Sequence, residues 1–116
     1  MAGMKLVRKI AVVQTAISSK KEARELAALI LEKHLGACIQ ISPVKSFYRW
    51  RGKTEAAGEF LVAVKTTLGL AARLAAFIKK NHSYELPEII ITKTDAHHDY
   101  ARWVAGETKH TKRANP

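Results

Sequence analysis

The sequence predicts an α+β fold of the ferredoxin-like type: a βαββαβ sandwich with a long hairpin between its second and third strands and an added C-terminal helix. Four apolar runs with strand character alternate with two amphipathic stretches in the order strand, helix, strand, strand, helix, strand. The 116 residues leave room for one domain, and 47% hydrophobic residues suffice for a core without disulfides. We therefore assign residues 1–108 to a single domain and expect the basic tail 109–116 to be disordered.

The first strand and the first helix are marked by an apolar run and a capping pattern. The run at residues 10–15 predicts a short strand. Ser18 or Ser19 can cap the following helix, and Glu22 lies three residues after Ser19, as in a capping box. We expect the helix to end at Gly36 and to pack one apolar face on the sheet. That face comprises Ala23, Leu26, Ala27, Ile30 and Leu31.

A long hairpin is predicted in the middle of the chain. Its first strand covers residues 37–50, and Pro43 implies a bend or a sheet edge within it. Gly52 supplies the turn, because glycine tolerates the left-handed backbone conformation that tight hairpin turns need. The returning strand at residues 59–66 carries apolar side chains on both faces, which is typical of a strand in the middle of a sheet.

The rest of the domain is predicted to add one helix, one strand and a short final helix. Thr67 is positioned to cap the second helix, and Asn81 or His82 closes it. The apolar stripe of that helix comprises Leu70, Ala71, Leu74, Phe77 and Ile78. The fourth strand is expected at residues 86–92, where three isoleucines follow one another. Asp99 is expected to cap the final helix, whose apolar face carries Tyr100, Trp103 and Val104.

Two helices can cover only one face of such a sheet, so its other face needs a second cover. An exposed apolar patch larger than several hundred Å² is unusual on a soluble monomer. At about 25 cal/mol per Å², burial of that face between copies of the chain would drive assembly. The pattern therefore predicts self-association, although periodicity alone does not give the number of copies.

The charge is strongly positive but widely distributed. Twenty Lys and Arg against ten Asp and Glu give a net charge of +10, which attracts anionic partners. Many of the cations fall near predicted helix ends, so we interpret them as solvated surface and expect neither nucleic acid nor a membrane as partner. An RNA-recognition module has the same order of elements, but its third strand needs exposed aromatics in a basic-Gly-aromatic signature. Residues 59–65 read Glu-Phe-Leu-Val-Ala-Val-Lys instead.

The number of cysteines and the absence of catalytic motifs indicate the cellular compartment and argue against an enzyme. Cys38 is the single cysteine, so no intramolecular disulfide can form, and we expect a cytoplasmic protein. The start of the chain shows neither a targeting segment nor a membrane span. We find no nucleophile paired with a base, phosphate loop or ligand triad, and residues 14–18 lack the arginine that an acylphosphatase loop requires. We therefore predict that the chain is not an enzyme.

Several motifs together resemble the CutA divalent-cation tolerance family over roughly residues 12–104. Tyr48 and Trp50 lie two residues apart in the segment 46–53, so they share one face of an extended strand. The other matching segments are residues 65–67 and 84–89, together with Asp99, Tyr100 and Trp103. The resemblance implies a homotrimer whose long hairpins pair across subunits, tolerance to copper and other divalent ions, and room for an unidentified downstream partner.

The same resemblance implies a metal site but leaves most of its ligands missing. In some relatives a thiol near the end of the first strand and histidines after the second helix are the proposed copper ligands. Gln14, Asn81 and His82 stand at the matching positions, and only His82 is a good copper ligand. If copper or another divalent cation is a cofactor, we expect His82 with the acids Glu55 and Glu59 to hold it. A second cluster at residues 95–99 is interpreted as a polar loop and a helix cap.

The resemblance also places a ligand cleft between subunits. The residues expected to line it are Tyr48, Trp50, Lys65, Tyr84 and Glu88. Carboxylates, an amine and an imidazole around aromatic walls suit a cation or a small polar ligand. Hydrogen bonds that fix the register of the trimer are the alternative interpretation, and both stay open. The competing functions are an RNA-binding module and a small-ligand signalling module of the same fold.

Overall fold

The computed structural model describes residues 6–109 and confirms the ferredoxin-like α+β fold. Its elements are β1 (Val7–Ile17), α1 (Lys20–Glu32), β2 (Cys38–Trp50), β3 (Lys53–Thr66), α2 (Ala71–Lys80), β4 (Ile90–His97) and α3 (His98–Glu107). A 3-10 turn, Leu68–Leu70, leads into α2. The tail expected to be disordered lies, from residue 110 onwards, outside the described residues.

The four strands form one antiparallel sheet in the order β2-β3-β1-β4. The central strands β1 and β3 contribute to the core, with Val13, Val62 and Val64 fully hidden from solvent. Strands β2 and β4 are the two edges. This order places β3 between β2 and β1, as the βαββαβ topology requires.

The two faces of the sheet are covered differently. Helices α1 and α2 pack on the first face, where Ile30 and Leu74 meet Val13 of β1 in the hydrophobic core. Cys38 lies opposite Lys65 in the register, which places both on the second face. Burial and the neighbouring Cys38 raise the pKa of the Tyr100 phenol of α3, so α3 covers part of that second face. The segment after α2 covers a further part, where Tyr84 bonds Glu59 and Glu88 bonds Gln14, whereas Ile90 of β4 on this face stays 48% exposed.

The hairpin of β2 and β3 extends as an arm. Arg51 (φ 51°) and Gly52 (φ 79°) both take the left-handed conformation, which identifies a two-residue turn of type I′. The molecule measures 52 × 38 × 22 Å, and its radius of gyration of 15.8 Å exceeds the roughly 13 Å of a compact domain of this length. Phe47 on this arm is 72% exposed, which marks it as surface that the protomer does not cover.

The first helix ends earlier than its sequence suggests. It stops at Glu32, and His34 (φ 57°) takes the left-handed conformation that was expected of Gly36. Gly36 instead allows a close approach between the chain and the sheet. A Cβ atom at this position would lie 2.3 Å from Val64 Cγ1 and 3.0 Å from Ile30 Cγ2.

The fourth strand also differs from the prediction for residues 86–92. It begins at Ile90 and runs through polar residues to His97, because it pairs with residues 7–14 of β1, where Val7 lies opposite His97. Pro87 lacks a backbone N–H, which fits the irregular segment that precedes the strand. The final helix is capped by the His97 imidazole, which accepts a hydrogen bond from the Asp99 backbone N–H (3.1 Å), and not by Asp99 itself.

Candidate functional site

A groove of about 1020 Å³ lies between the hairpin arm and the segment that follows α2. Residues 46–50 of β2 form one wall and residues 83–88 form the other, with Glu59 of β3 and Ala16 of β1 between them. The predicted pair Tyr48 and Trp50 lines this groove, and so do Phe47 and Arg49 from the alternate positions of the strand.

The groove is acidic although the chain is basic. Glu59, Glu85 and Glu88 line it, so three of the ten acidic residues of a chain of net charge +10 are gathered here, with Arg49 as the one cation among the lining residues. At the tip of the arm, Arg51 Nη2 lies 3.1 Å from Glu85 Oε1 in an exposed ion pair. Glu59 and Glu88 form no ion pair with a cation in the described part of the chain.

Glu59 is a buried carboxylate held by one tyrosine. Its side chain belongs to a residue only 8% exposed, and the Tyr84 hydroxyl donates to Glu59 Oε2 over 2.7 Å. Partial burial of Tyr84, together with this hydrogen bond and the negative charge of Glu59, holds the pKa of the Tyr84 phenol well above its usual range. The pair therefore keeps the phenol protonated as a donor.

His82 fixes the position of Tyr84. Its Nδ1 lies 3.1 Å from the Tyr84 backbone N–H and accepts from it, so the Nε2 atom is assigned the proton and donates to the Ala16 carbonyl oxygen over 2.9 Å. The two rings also pack together, with centroids 4.8 Å apart. Both imidazole nitrogens are thus engaged, and a metal ion would have to displace one of these hydrogen bonds.

The other positions of the expected metal site are engaged separately. Gln14 Nε2 donates to Glu88 Oε2 over 2.9 Å, and Asn81 Nδ2 donates to the Phe77 carbonyl oxygen at the end of α2. Glu55 lies on the arm opposite Tyr48 and does not line the groove. Across residues 6–109, no three His, Cys, Asp or Glu side chains come together as a possible metal site. Within the protomer, the residues around His82 therefore do not fit a copper ion.

Lys65 lies away from the groove. It stands opposite Cys38 near the end of β3, and its amine donates to the Gln40 side-chain oxygen. The sequence reasoning missed Glu85 and Phe47 as lining residues. Glu85 directly follows Tyr84. Its place beside the groove could have been inferred if Pro87 had been interpreted as the mark of an irregular segment before β4.

A smaller cavity of about 360 Å³ lies on the outer side of the same segment, between α1 and the end of α2. Leu26 and Leu29 form its apolar part, and Ser83 Oγ donates to Glu22 Oε1 over 2.9 Å beside it. Ser83 also lines the groove, so the segment 82–84 separates the two cavities.

The acid and histidine cluster at residues 95–99 is engaged in local structure. Asp95 pairs with Lys9 over 2.8 Å across the β1–β4 register, and His97 caps α3. The cluster therefore belongs to a strand end and a helix cap. Within the described range, none of the helices is long and apolar enough to span a membrane.

Comparison with known proteins identifies the family. The model of the CutA1 divalent ion tolerance protein family matches residues 11–107. Human Protein CutA is 34% identical over 93 residues, covering 78% of this chain and 52% of that protein. The divalent-cation tolerance protein CutA of Thermus thermophilus is 33% identical over 99 residues, covering 84% of this chain and 96% of that protein.

A solved structure agrees with these sequence matches. CutA from Synechococcus elongatus superposes with a TM-score of 0.84 at 27% identity, covering 89% of this chain and 96% of that one. The chain spans about half the length of the first vertebrate relatives it matches. The family match covers most of the chain, including the groove, and agrees with the fold. The chain therefore belongs to the CutA1 divalent ion tolerance protein family.

Proposed function

We propose that this chain acts in tolerance of divalent metal ions, as a homotrimer that binds a cation or a small polar ligand in the groove beside the hairpin arm. Family membership supports the tolerance role. The observation that carries the binding role is the buried Glu59 carboxylate, which lines an aromatic groove and has the Tyr84 hydroxyl as its only hydrogen-bond donor in the described chain.

The homotrimer is supported by apolar surface that the protomer leaves open. Ile90 is 48% exposed on edge strand β4, and it lies opposite Gln14 on the second face of the sheet. Trp103 of α3 is 45% exposed. The arm adds Phe47, and the outer edge of β2 is an unpaired row of backbone groups. Burial of these surfaces between copies would remove both the apolar exposure and the open edges.

Light scattering after size exclusion tests the assembly. We expect a particle of three times the 12.9 kDa protomer mass that persists on dilution. Ile90→Lys should shift the particle towards the protomer mass, because it places a charge on the face to be buried. Leu31→Lys is the matched control, since Leu31 is 47% exposed on the outer helix α1. A parent protein that stays a stable monomer at high concentration would refute the trimer.

The tolerance role is tested in cells. Expression of the parent chain in a copper-sensitive bacterial host should raise the copper concentration that halves growth. Glu59→Gln should reduce this protection if the groove takes part in it, whereas Glu25→Gln, at an exposed site on α1, should not. No protection from a parent protein that accumulates as a trimer would contradict the proposed role.

A direct copper site on His82, with Glu59 and Glu55 as further ligands, stays a prediction that one protomer alone does not support, because these three side chains do not come together within the described chain. It requires the imidazole to release either Tyr84 or Ala16, since both of its nitrogens are hydrogen-bonded. Copper calorimetry is done on the parent, His82→Ala and His98→Ala. The last variant shows whether copper binds instead at His97 and His98, which follow each other in sequence. Saturable heat that only His82→Ala abolishes would support it, and no saturable heat in the parent would remove it.

A further inference from the structure

We propose that the groove beside the hairpin arm selects an organic cation, an ammonium or guanidinium group, in preference to a bare metal ion. This inference rests on the proposed function, because it names the chemical class of the ligand for the same groove. It follows from three properties of the groove: an uncompensated buried charge, aromatic walls, and a donor arrangement unsuited to metals.

The uncompensated charge is that of Glu59. Its residue is only 8% exposed, and it has no ion-pair partner and only the Tyr84 hydroxyl as a donor in the described chain. A buried carboxylate is costly unless a cation and further hydrogen bonds satisfy it. Arg49, the one cation among the lining residues, forms no ion pair with Glu59, and Arg51 is already paired with Glu85 at the tip of the arm. The groove is thus left with a charge that a ligand can neutralise.

The walls are suited to a soft, weakly hydrated cation. Tyr48, Trp50 and Tyr84 line the groove together with the exposed ring of Phe47. Aromatic faces attract ammonium and guanidinium groups through the ring quadrupole, most strongly when the cation leaves water. Arg51 already lies over Trp50, with its guanidinium carbon 5.3 Å from the ring centroid, so this surface binds such a group within the protein itself.

The donors do not suit a first-row metal. Copper and zinc prefer three or four convergent imidazole, thiolate or carboxylate ligands. Over the described range no such group of three exists, and the His82 nitrogens are both hydrogen-bonded. An organic cation needs neither a group of three ligands nor a free imidazole nitrogen. One N–H bond to Glu59 and contact with the rings are enough. The volume of about 1020 Å³ also admits an alkyl chain beyond the charged head.

Fluorescence titration of Trp50 tests this inference directly. The Trp103→Phe background leaves Trp50 as the reporter, since the chain has two tryptophans. The probes are n-butylammonium, tetramethylammonium, guanidinium, the neutral n-butanol and copper(II). We expect saturable changes with the organic cations and none with n-butanol. Among the organic cations, n-butylammonium should bind better than tetramethylammonium because it can donate to Glu59.

Two variants locate the site. Glu59→Gln should weaken n-butylammonium binding about tenfold or more, because it removes the charge but keeps an acceptor for Tyr84. Glu25→Gln makes the same change in net charge on exposed α1 and should leave binding unaltered. Tyr48→Leu should weaken tetramethylammonium, which depends on the rings. Circular dichroism and particle mass confirm that each variant is folded and assembled.

The outcomes separate this inference from the function on which it rests. If the parent is trimeric and protects cells from copper, yet no organic cation binds, the inference is wrong and the proposed function stands. The inference is also wrong if Glu59→Gln lowers the particle mass and the parent binds none of the amines, since a cation from a neighbouring copy then neutralises Glu59. Equal weakening by Glu59→Gln and Glu25→Gln would likewise overturn it.

Discussion

Tyr84→Phe removes the hydroxyl that donates to Glu59 and leaves the ring in place. The bond is 2.7 Å long and ends on a carboxylate of a residue only 8% exposed, without another donor in the described chain. Hydrogen bonds to charged groups are worth about 1.5–3 kcal/mol. Because Tyr84 itself is partly exposed and water can enter beside the new phenylalanine, we expect a loss of about 1–2 kcal/mol in the free energy of unfolding.

A double-mutant cycle isolates this interaction. Urea unfolding is measured for the parent, Tyr84→Phe, Glu59→Gln and the double variant, all at one protein concentration because assembly contributes to stability. The coupling between the two changes should be about 1 kcal/mol or more. Tyr48→Phe is the control, since the Tyr48 hydroxyl makes no hydrogen bond to any described residue, and it should cost less than about 0.5 kcal/mol.

The reasoning fails if the coupling is close to zero. It also fails if Tyr84→Phe costs no more than Tyr48→Phe. Either result would mean that Glu59 is satisfied by water or by a neighbouring copy, so that the tyrosine does not hold the carboxylate. The buried and uncompensated charge, on which the cation proposal depends, would then be lost as well.

Three further measurements test the rest of the structure. Gly36→Ala should lower the free energy of unfolding by about 1–3 kcal/mol, because its Cβ would lie 2.3 Å from Val64 Cγ1. Gly106→Ala is the contrasting variant, on helix α3 with open space around it. In the same urea assay it should raise the free energy of unfolding by about 0.5–1 kcal/mol. Thr15→Val should raise the thermal midpoint, because the buried Thr15 hydroxyl has no partner among the described residues. Stability should fall as pH rises above about 10, because the pKa of the Tyr84 phenol is higher in the folded than in the unfolded protein. The protonated phenol contributes its full stability below the unfolded pKa, and this contribution is lost as pH rises towards the folded pKa. Urea midpoints in alkaline buffer should show that Tyr84→Phe weakens this dependence.

Each of these has a contrary outcome. A neutral Gly36→Ala would show that Val64 can move aside. A destabilised Thr15→Val would reveal an unseen partner of the hydroxyl. An alkaline transition that is unchanged in Tyr84→Phe would assign it to another tyrosine, such as Tyr100, whose pKa is also raised by burial and by Cys38.

The sequence anticipated the features that depend on neighbouring residues. The spacing of Tyr48 and Trp50 placed both on one face, and the structure puts both in the groove. Ser19 was expected to cap α1, and its hydroxyl does accept the Glu22 backbone N–H. The face left open by the two helices was anticipated in part: Ile90 on it stays 48% exposed, whereas Glu59 and Ala16 are buried.

Features that depend on residues far away in sequence could not be predicted in the same way. His82 was expected as a metal ligand because it stands at a position matched by the resemblance and carries an imidazole, whereas its hydrogen bond to Ala16, in a strand far away in sequence, could not be foreseen. The start of β4 was misplaced because an apolar run suggests a strand, whereas the pairing with Val7 draws in polar residues up to His97. Gly36 was taken as a helix stop, but its importance comes from Val64, which only the packed structure brings near.

The pairing of β1 with β4 joins the first described strand to the last, and this has a consequence for the chain as it leaves the ribosome. The arm can form as soon as β3 is made, because β2 and β3 are joined by a two-residue turn. The outer edge of β1, in contrast, stays without its partner until His97 has emerged. During that interval the nascent chain offers an open edge to other growing chains, so synthesis on crowded polysomes exposes it to mispairing that the finished sheet prevents.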